Sequence, residues 1–304
     1  ATASAATAHL GRVELCPRVV LHVVPPSSLL ELGLSIAAPS PRARWVRPGP
    51  APERRLGFLS GSRQDGQVQI IGVEVPGGTP VLAFTLGHGE DPYQVAWEGG
   101  YRVLRPLSAA GTVEDLTVTL QLAEHGRPVT PRGPQRVRTT LRPGEMSGRP
   151  VVRQRLAAYG LVVSDRGVLA TEFSDRTAVP GMWGLPGGGI DPGENPATAV
   201  AREVFEETGQ DIEITQFLDM QSDHWIGHSP SGVVEDFHAV RLIYAARCDN
   251  PRDPVVHDVG GTTASSQWVP VHSFRDVAWI NGARSLLGKH GHDLVRSYRR
   301  RRSA

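Results

Sequence analysis

Leu116 to Leu122 reads Leu/Thr/Val/Thr/Leu/Gln/Leu, the strict alternation of a strand with one buried face. The same texture recurs at Gln67–Val75, Thr79–Leu86, Tyr93–Trp97 and Tyr101–Leu107, with turn residues between at Pro76-Gly77-Gly78, Gly99-Gly100 and Glu124-His125-Gly126. One short helix is predicted over Ser27–Leu34, with serine available as its cap. The Pro- and Arg-rich stretch Pro39–Arg55 reads as an extended loop. Short strands at this spacing predict a β-rich, sandwich or barrel-like unit over residues 1–145, with no internal repeat.

The pattern changes after a glycine- and proline-rich stretch, Arg142–Pro150, so a second domain is expected over residues 146–304. It opens with two apolar strands flanking Ser164-Asp165-Arg166-Gly167, a hairpin signal. A long loop containing "GMWGLPGGG" precedes a helix, and "FHAVRLIYAARC" is a further strand. A C-terminal helix is expected from about Gly282. The basic end "RSYRRRRSA" reads as a solvated, disordered tail rather than a nucleic-acid contact. Mixed strands with two helices make this an α/β domain.

Composition narrows the function classes. The 304 residues carry 39% hydrophobic and 21% charged side chains and a net charge of +1, which argues against a general polyanion binder. Cys16 and Cys248 are far apart and in no metal-ligand spacing, against both a disulfide framework and a zinc site. The longest apolar runs are too short to span a bilayer, and the first residues lack the pattern of a secretory signal. A soluble, cytoplasmic protein with no membrane or nucleic-acid partner is expected.

The segment Gly188–Gln210, "GGIDPGENPATAVAREVFEETGQ", carries the chemistry. Asn195 can cap the helix, Pro196 suits its first position, and Gly209 stands where a left-handed C-terminal cap belongs. At about 100° per residue, Glu203, Glu206 and Glu207 share one arc of roughly 100°. Val200, Val204, Ala197, Thr208, Ala201 and Phe205 fall on the core-facing side, and Ala199 and Arg202 flank the acids. Carboxylates at a helix C-terminus oppose its dipole and repel one another at i,i+3 and i,i+4 spacing. A divalent cation offsets both costs, and oxygen-only ligands select a hard ion, Mg²⁺ or Mn²⁺.

These residues also resemble the Nudix box of Nudix hydrolases: Gly, five residues, Glu, seven residues, then Arg-Glu-apolar-x-Glu-Glu-x-Gly-apolar. The matching positions are Gly188, Glu194, Arg202, Glu203, Val204, Glu206, Glu207 and Gly209. Only Gln210 departs, replacing an aliphatic residue at a packing position. The preceding "WGLPGG" is also typical. The resemblance covers about residues 153–288 and not the N-terminal half. It implies a mixed-sheet α/β/α sandwich with the box as loop–helix–loop. It also implies hydrolysis of a diphosphate linked to another group, by water attack at phosphorus with Mg²⁺ or Mn²⁺ assisting. Glu203, Glu206 and Glu207 are then the metal ligands, and the water proton falls to one of them or to Glu194. Arg202 is implied to hold a glutamate in orientation, and a homodimer is a state common in the family. Gly187 and Gly188 allow close backbone approach to helix and substrate.

Other candidates are weaker. Family members often carry a further acid before a tryptophan near the end of the sheet. Here that tryptophan is Trp268, without an acid just before it, so Asp258, Glu235 or Asp236 stand in. Trp183 and Trp225 are candidates for stacking on a base, and Arg153 and Arg155 for binding phosphate. His224 and His228 lack the intervening Glu of a zinc-protease helix, and His238 reads as a satisfied histidine within a strand. The reading is a Mg²⁺-dependent pyrophosphohydrolase acting on a nucleoside diphosphate linked to another group, or on a nucleoside triphosphate. Two alternatives stay open: a hydrolase or isomerase of a non-nucleotide diphosphate, and a non-catalytic nucleotide-sensing module.

Overall fold

The computed structural model describes residues 68–126, 137–142, 144–145, 148–229 and 231–302. The helix expected over Ser27–Leu34 and the loop over Pro39–Arg55 lie outside the described residues.

Strands β1 (Gln69–Val73) and β2 (Pro80–Thr85) are followed by helix α1 (Pro92–Glu98), then by β3 (Tyr101–Ala110) and β4 (Thr117–Glu124). The strands make one mixed sheet in the order β2-β1-β4-β3, with β1 and β4 parallel. Val118, Leu120 and Leu122 of β4 are buried and alternate with partly exposed Thr117, Thr119 and Gln121, as the sequence pattern requires. Tyr93–Trp97, expected as a strand, is instead the body of α1. Asp91 caps it by accepting from the Tyr93 N–H at 2.8 Å, Pro92 takes the first position, and Pro92, Val95 and Ala96 form a buried i, i+3, i+4 stripe. Five residues are too few to separate a period of two from one of 3.6.

A second sheet contains β5 (Arg138–Thr139), β6 (Val151–Ser164), β7 (Gly167–Phe173), β8 (Trp183–Gly184), β9 (Gly187–Gly189), β10 (Glu213–His228), β11 (Val234–Arg247) and β12 (Thr263–Val269). Its order is β12-β7-β6-β11-β10-β5, with β8 on β7 and β9 on β6. The predicted hairpin forms, Ser164 pairing with Gly167. Helix α2 (Pro196–Thr208) connects β9 to β10. After β12 come α3 (Asn281–Leu286), a π-helical turn (Leu287–Gly291) and α4 (His292–Arg302). The tail expected to be disordered is therefore helical through Arg302. Val295 and Tyr298 provide the reason: both are buried, and the Tyr298 hydroxyl donates to the Cys248 carbonyl at 3.1 Å.

Side chains alternate across the second sheet, so each face builds its own core. Leu156, Val240 and Leu242 pack with Ala199, Val200 and Val204 of α2, and this core runs on into Leu82, Leu116 and Leu120 of the first sheet. On the opposite face Leu161, Ile243 and Trp279 pack with Ala283, Leu286, Val295 and Tyr298. The result is an α/β/α sandwich with the first sheet seated on the same side as α2. Among the described residues, no helix is long and apolar enough to cross a membrane.

Candidate active site

Both ends of α2 are built as the sequence requires. Asn195 Oδ1 accepts from the Thr198 N–H at 3.0 Å, and Gly209, at φ 67°, donates its N–H to the Phe205 carbonyl at 2.8 Å. Two wheel positions differ from expectation. Phe205 is 47% exposed and stacks on His257, with ring centroids 5.2 Å apart, whereas Ala199 is fully buried. Glu203 and Glu207 are largely buried, because β9 lies along the carboxylate arc, while Glu206 stays half exposed.

Arg202 organises the arc. Its Nε and Nη2 donate to Glu194 at 3.1 and 3.0 Å, and its Nη1 donates to Glu203 at 2.9 Å and Glu206 at 3.2 Å. Nη2 also reaches the Gly189 carbonyl at 3.0 Å, which ties the helix to β9. Burial alone would lower the affinity of this guanidinium for its proton, but Glu194 and Glu203 hold it above its ordinary value. Glu194 takes a further bond from the Asp191 N–H at 3.2 Å, so it is committed to orienting Arg202.

The other acids differ in environment. Glu207 is only 8% exposed and accepts from the Gly187 N–H at 2.9 Å and the Thr263 hydroxyl at 2.5 Å. Desolvation nevertheless wins, and its pKa is pushed up to about 7. Burial also raises Glu203, against the opposing pull of Arg202. A methyl group added at Gly188 would lie 2.6 Å from Glu203 Oε1, so glycine is what lets this carboxylate lie against the strand. At Gly187, φ is 145° and a side chain would collide with the Ala158 carbonyl at 2.3 Å. A half-buried set of glutamate oxygens, one carboxylate held protonatable near pH 7 by burial, fits a hard divalent cation, which would restore the charge that desolvation disfavours.

The remaining candidates separate into groups. Exposed Arg155 faces Gly189, with Nη2 3.4 Å from where a side chain there would begin, and its charge acts on Glu203. The Asp258 N–H donates to the Glu206 carbonyl at 3.1 Å, and the Asp258 charge adds to the rise at Glu207. Of the three acids considered beyond the box, Asp258 is thus the one that the tertiary structure brings beside the end of α2. Glu235 is elsewhere: it pairs with Val151, six residues along β6 from the Ala157 that pairs with Gly189, roughly 20 Å at ~3.3 Å per residue. There it forms an ion pair with Arg153 at 2.9 Å. Trp183 packs at the margin of the core formed by α3 and α4, and its backbone N–H donates to the Ala278 carbonyl. Partly exposed Trp225 packs on Phe237, centroids 4.5 Å apart. His228 turns to the Gly232 carbonyl at 3.1 Å, so His224 and His228 do not converge. His238 is fully buried between Ser222 and Gln154, and burial pushes its pKa down to about 4. Thr263 is missing from the sequence reading. It lies 56 residues beyond Glu207, and only the packing of α2 against β12 joins them.

A family model described as the NUDIX domain matches residues 153–287. The nucleoside triphosphatase NudI of Salmonella typhimurium is 30% identical over 133 residues, covering 42% of this chain and 83% of that protein. That of Enterobacter sp. (strain 638) is 29% identical over 132 residues with the same coverage. The chain belongs to the NUDIX family. A MutT NUDIX hydrolase from Burkholderia pseudomallei aligns over 45% of this chain and 98% of its own, with 23% identity and a TM-score of 0.35. A C. elegans Ap4A hydrolase complex aligns over 45% and 97%, with 21% identity and a TM-score of 0.35.

Proposed function

We propose that the chain is a Mg²⁺-dependent pyrophosphohydrolase of a nucleoside triphosphate, or of a nucleoside diphosphate linked to another group. The observation that carries the reading is the Arg202-centred array that holds Glu194, Glu203 and Glu206 against the glycine strand, with Glu207 buried beneath it. In this reading Glu203, Glu206 and Glu207 hold the cation, Mg²⁺ or Mn²⁺. When bound, it neutralises phosphate oxygens and acidifies water.

The chain's own groups do the rest. Gly187 and Gly188 let β9 lie close against the carboxylates, and Arg155 meets the charge of a phosphate chain from across β9. One of these glutamates, or Glu194, takes a proton from the attacking water. The water oxygen bonds to phosphorus, the phosphoanhydride P–O bond breaks, and the leaving phosphate departs with the bridging oxygen. Arg202 and Glu194 keep Glu203 in position throughout.

The test is a product-resolved screen of nucleoside triphosphates and nucleoside diphosphate derivatives with Mg²⁺, beside an EDTA control. Metal-dependent release of a nucleoside monophosphate supports the reading, and the preferred substrate identifies the leaving group. Nucleotide binding without turnover in Mg²⁺ would sink it in favour of a sensor.

A further inference from the structure

The loop between β2 and α1 carries His88 onto the second sheet, where the diagonal cross-strand neighbours His224 of β10 and Asp236 of β11 share one face. Asp236 Oδ1 lies 3.0 Å from His88 Nε2 and 2.5 Å from His224 Nε2, so two imidazole nitrogens converge on one carboxylate oxygen. One ligand atom from each of the three residues lies within 4.8 Å of the others. The side chains of His88, His224 and Asp236 are 26%, 16% and 25% exposed, so an ion reaches them from solvent without opening the core.

The surroundings fix these rings. Gly89, at φ 77°, lies against His224; a methyl group there would fall 2.5 Å from His224 Nδ1, so any side chain would strain the backbone and displace the ring. The ring of His238 stands behind, its centroid 5.5 Å from that of His88 and 6.1 Å from that of His224. Ser222 joins the loop to the sheet, donating to the Glu90 carbonyl at 2.8 Å and lying 2.9 Å from His238 Nε2.

We propose that His88, His224 and Asp236 form a binding site for a divalent transition-metal ion of the zinc class, separate from the glutamate site of α2. Two imidazoles and one carboxylate select borderline ions, whereas the oxygen-only glutamates select hard ones. The three ligands leave a coordination position for water. They come from the first sheet's loop and from two strands of the second sheet, so the ion clips one sheet to the other. The cysteine count, which argued against zinc, is silent on a site made from histidine and aspartate.

The full chain, stripped with chelator and gel-filtered after Zn²⁺ addition, is expected to retain about one zinc by elemental analysis. Its unfolding temperature should rise by roughly 3–8 °C. Co²⁺ in place of Zn²⁺ should produce the visible absorption of a low-coordinate nitrogen–oxygen site. His224→Gln and Asp236→Asn should each lose the metal and the thermal shift, while Glu206→Gln keeps both. Zinc retained equally by His224→Gln, or lost with Glu206→Gln, overturns the site. X-ray absorption on the zinc-loaded wild-type chain needs no variant to fold: imidazole scattering supports the assignment, and an all-oxygen shell overturns it.

Discussion

The phenolic hydroxyl of Tyr93 donates to Asp219 Oδ1 at 2.9 Å, joining α1 to the middle of β10. Lys289, the chain's one lysine, and His290 reach the other oxygen at 2.8 and 3.2 Å, so the π-helical turn meets α1 through a single buried carboxylate. Desolvation opposes the charge, but bonds from His290, Lys289 and Tyr93 hold Asp219 well below the usual carboxylate range.

Because the folded-state pKa is depressed, the stability that Asp219 contributes is present above the unfolded value of about 3.9 and is lost as pH falls towards the folded one. Asp219→Asn is expected to lower stability at neutral pH by about 1–3 kcal/mol. It should also flatten the loss of stability below about pH 4, because the titrating group is gone. Denaturant unfolding of both proteins at several pH values checks this; parallel acid limbs would show that Asp219 is not the titrating group.

Glu206→Gln and Glu207→Gln are expected to reduce turnover by roughly 10²–10⁴-fold with circular dichroism unchanged. In EDTA, Glu207→Gln should be no less stable than wild type, since it replaces a buried acid whose charged form desolvation disfavours. Near-normal turnover in both variants would remove these carboxylates from the site.

Arg202→Lys keeps the charge and loses the fork that serves Glu194, Glu203 and Glu206 together. A fall in kcat of about 10–100-fold is expected, with KM changed much less. Steady-state kinetics separate the two, and a change confined to KM would make Arg202 a substrate contact instead.

Gly188→Ala places its methyl group 2.6 Å from Glu203 Oε1, a collision with the end of a side chain rather than with backbone. Activity should therefore fall by at least about tenfold while stability changes by less than ~1 kcal/mol. An equal loss of both would mean that the glycine serves the fold and not the carboxylate.

What was legible in the sequence was local. Asn195, Pro196 and Gly209 bound α2 because caps act within a few residues of themselves. Leu116–Leu122 became a strand because alternation over seven residues admits one period. Tyr93–Trp97 was misread because its cap, Asp91, and its stripe, Pro92/Val95/Ala96, begin before the segment that looked strand-like. The tail Arg296–Arg302 was misread because its charges mask Val295 and Tyr298, whose burial depends on a surface far away in the chain.

The sequence by itself determined which helix carries the glutamates, where that helix starts and stops, and that an arginine one turn before Glu206 shares their face. Spacing along a helix converts directly into direction, so those facts need no partner. Only the tertiary structure decided which carboxylate is buried, that Thr263 and Gly187 hold it, that Glu235 lies about 20 Å along the sheet, and that His88 meets His224 and Asp236. Those relations rest on strand order and register, which arise from long-range packing and leave no local periodicity to read.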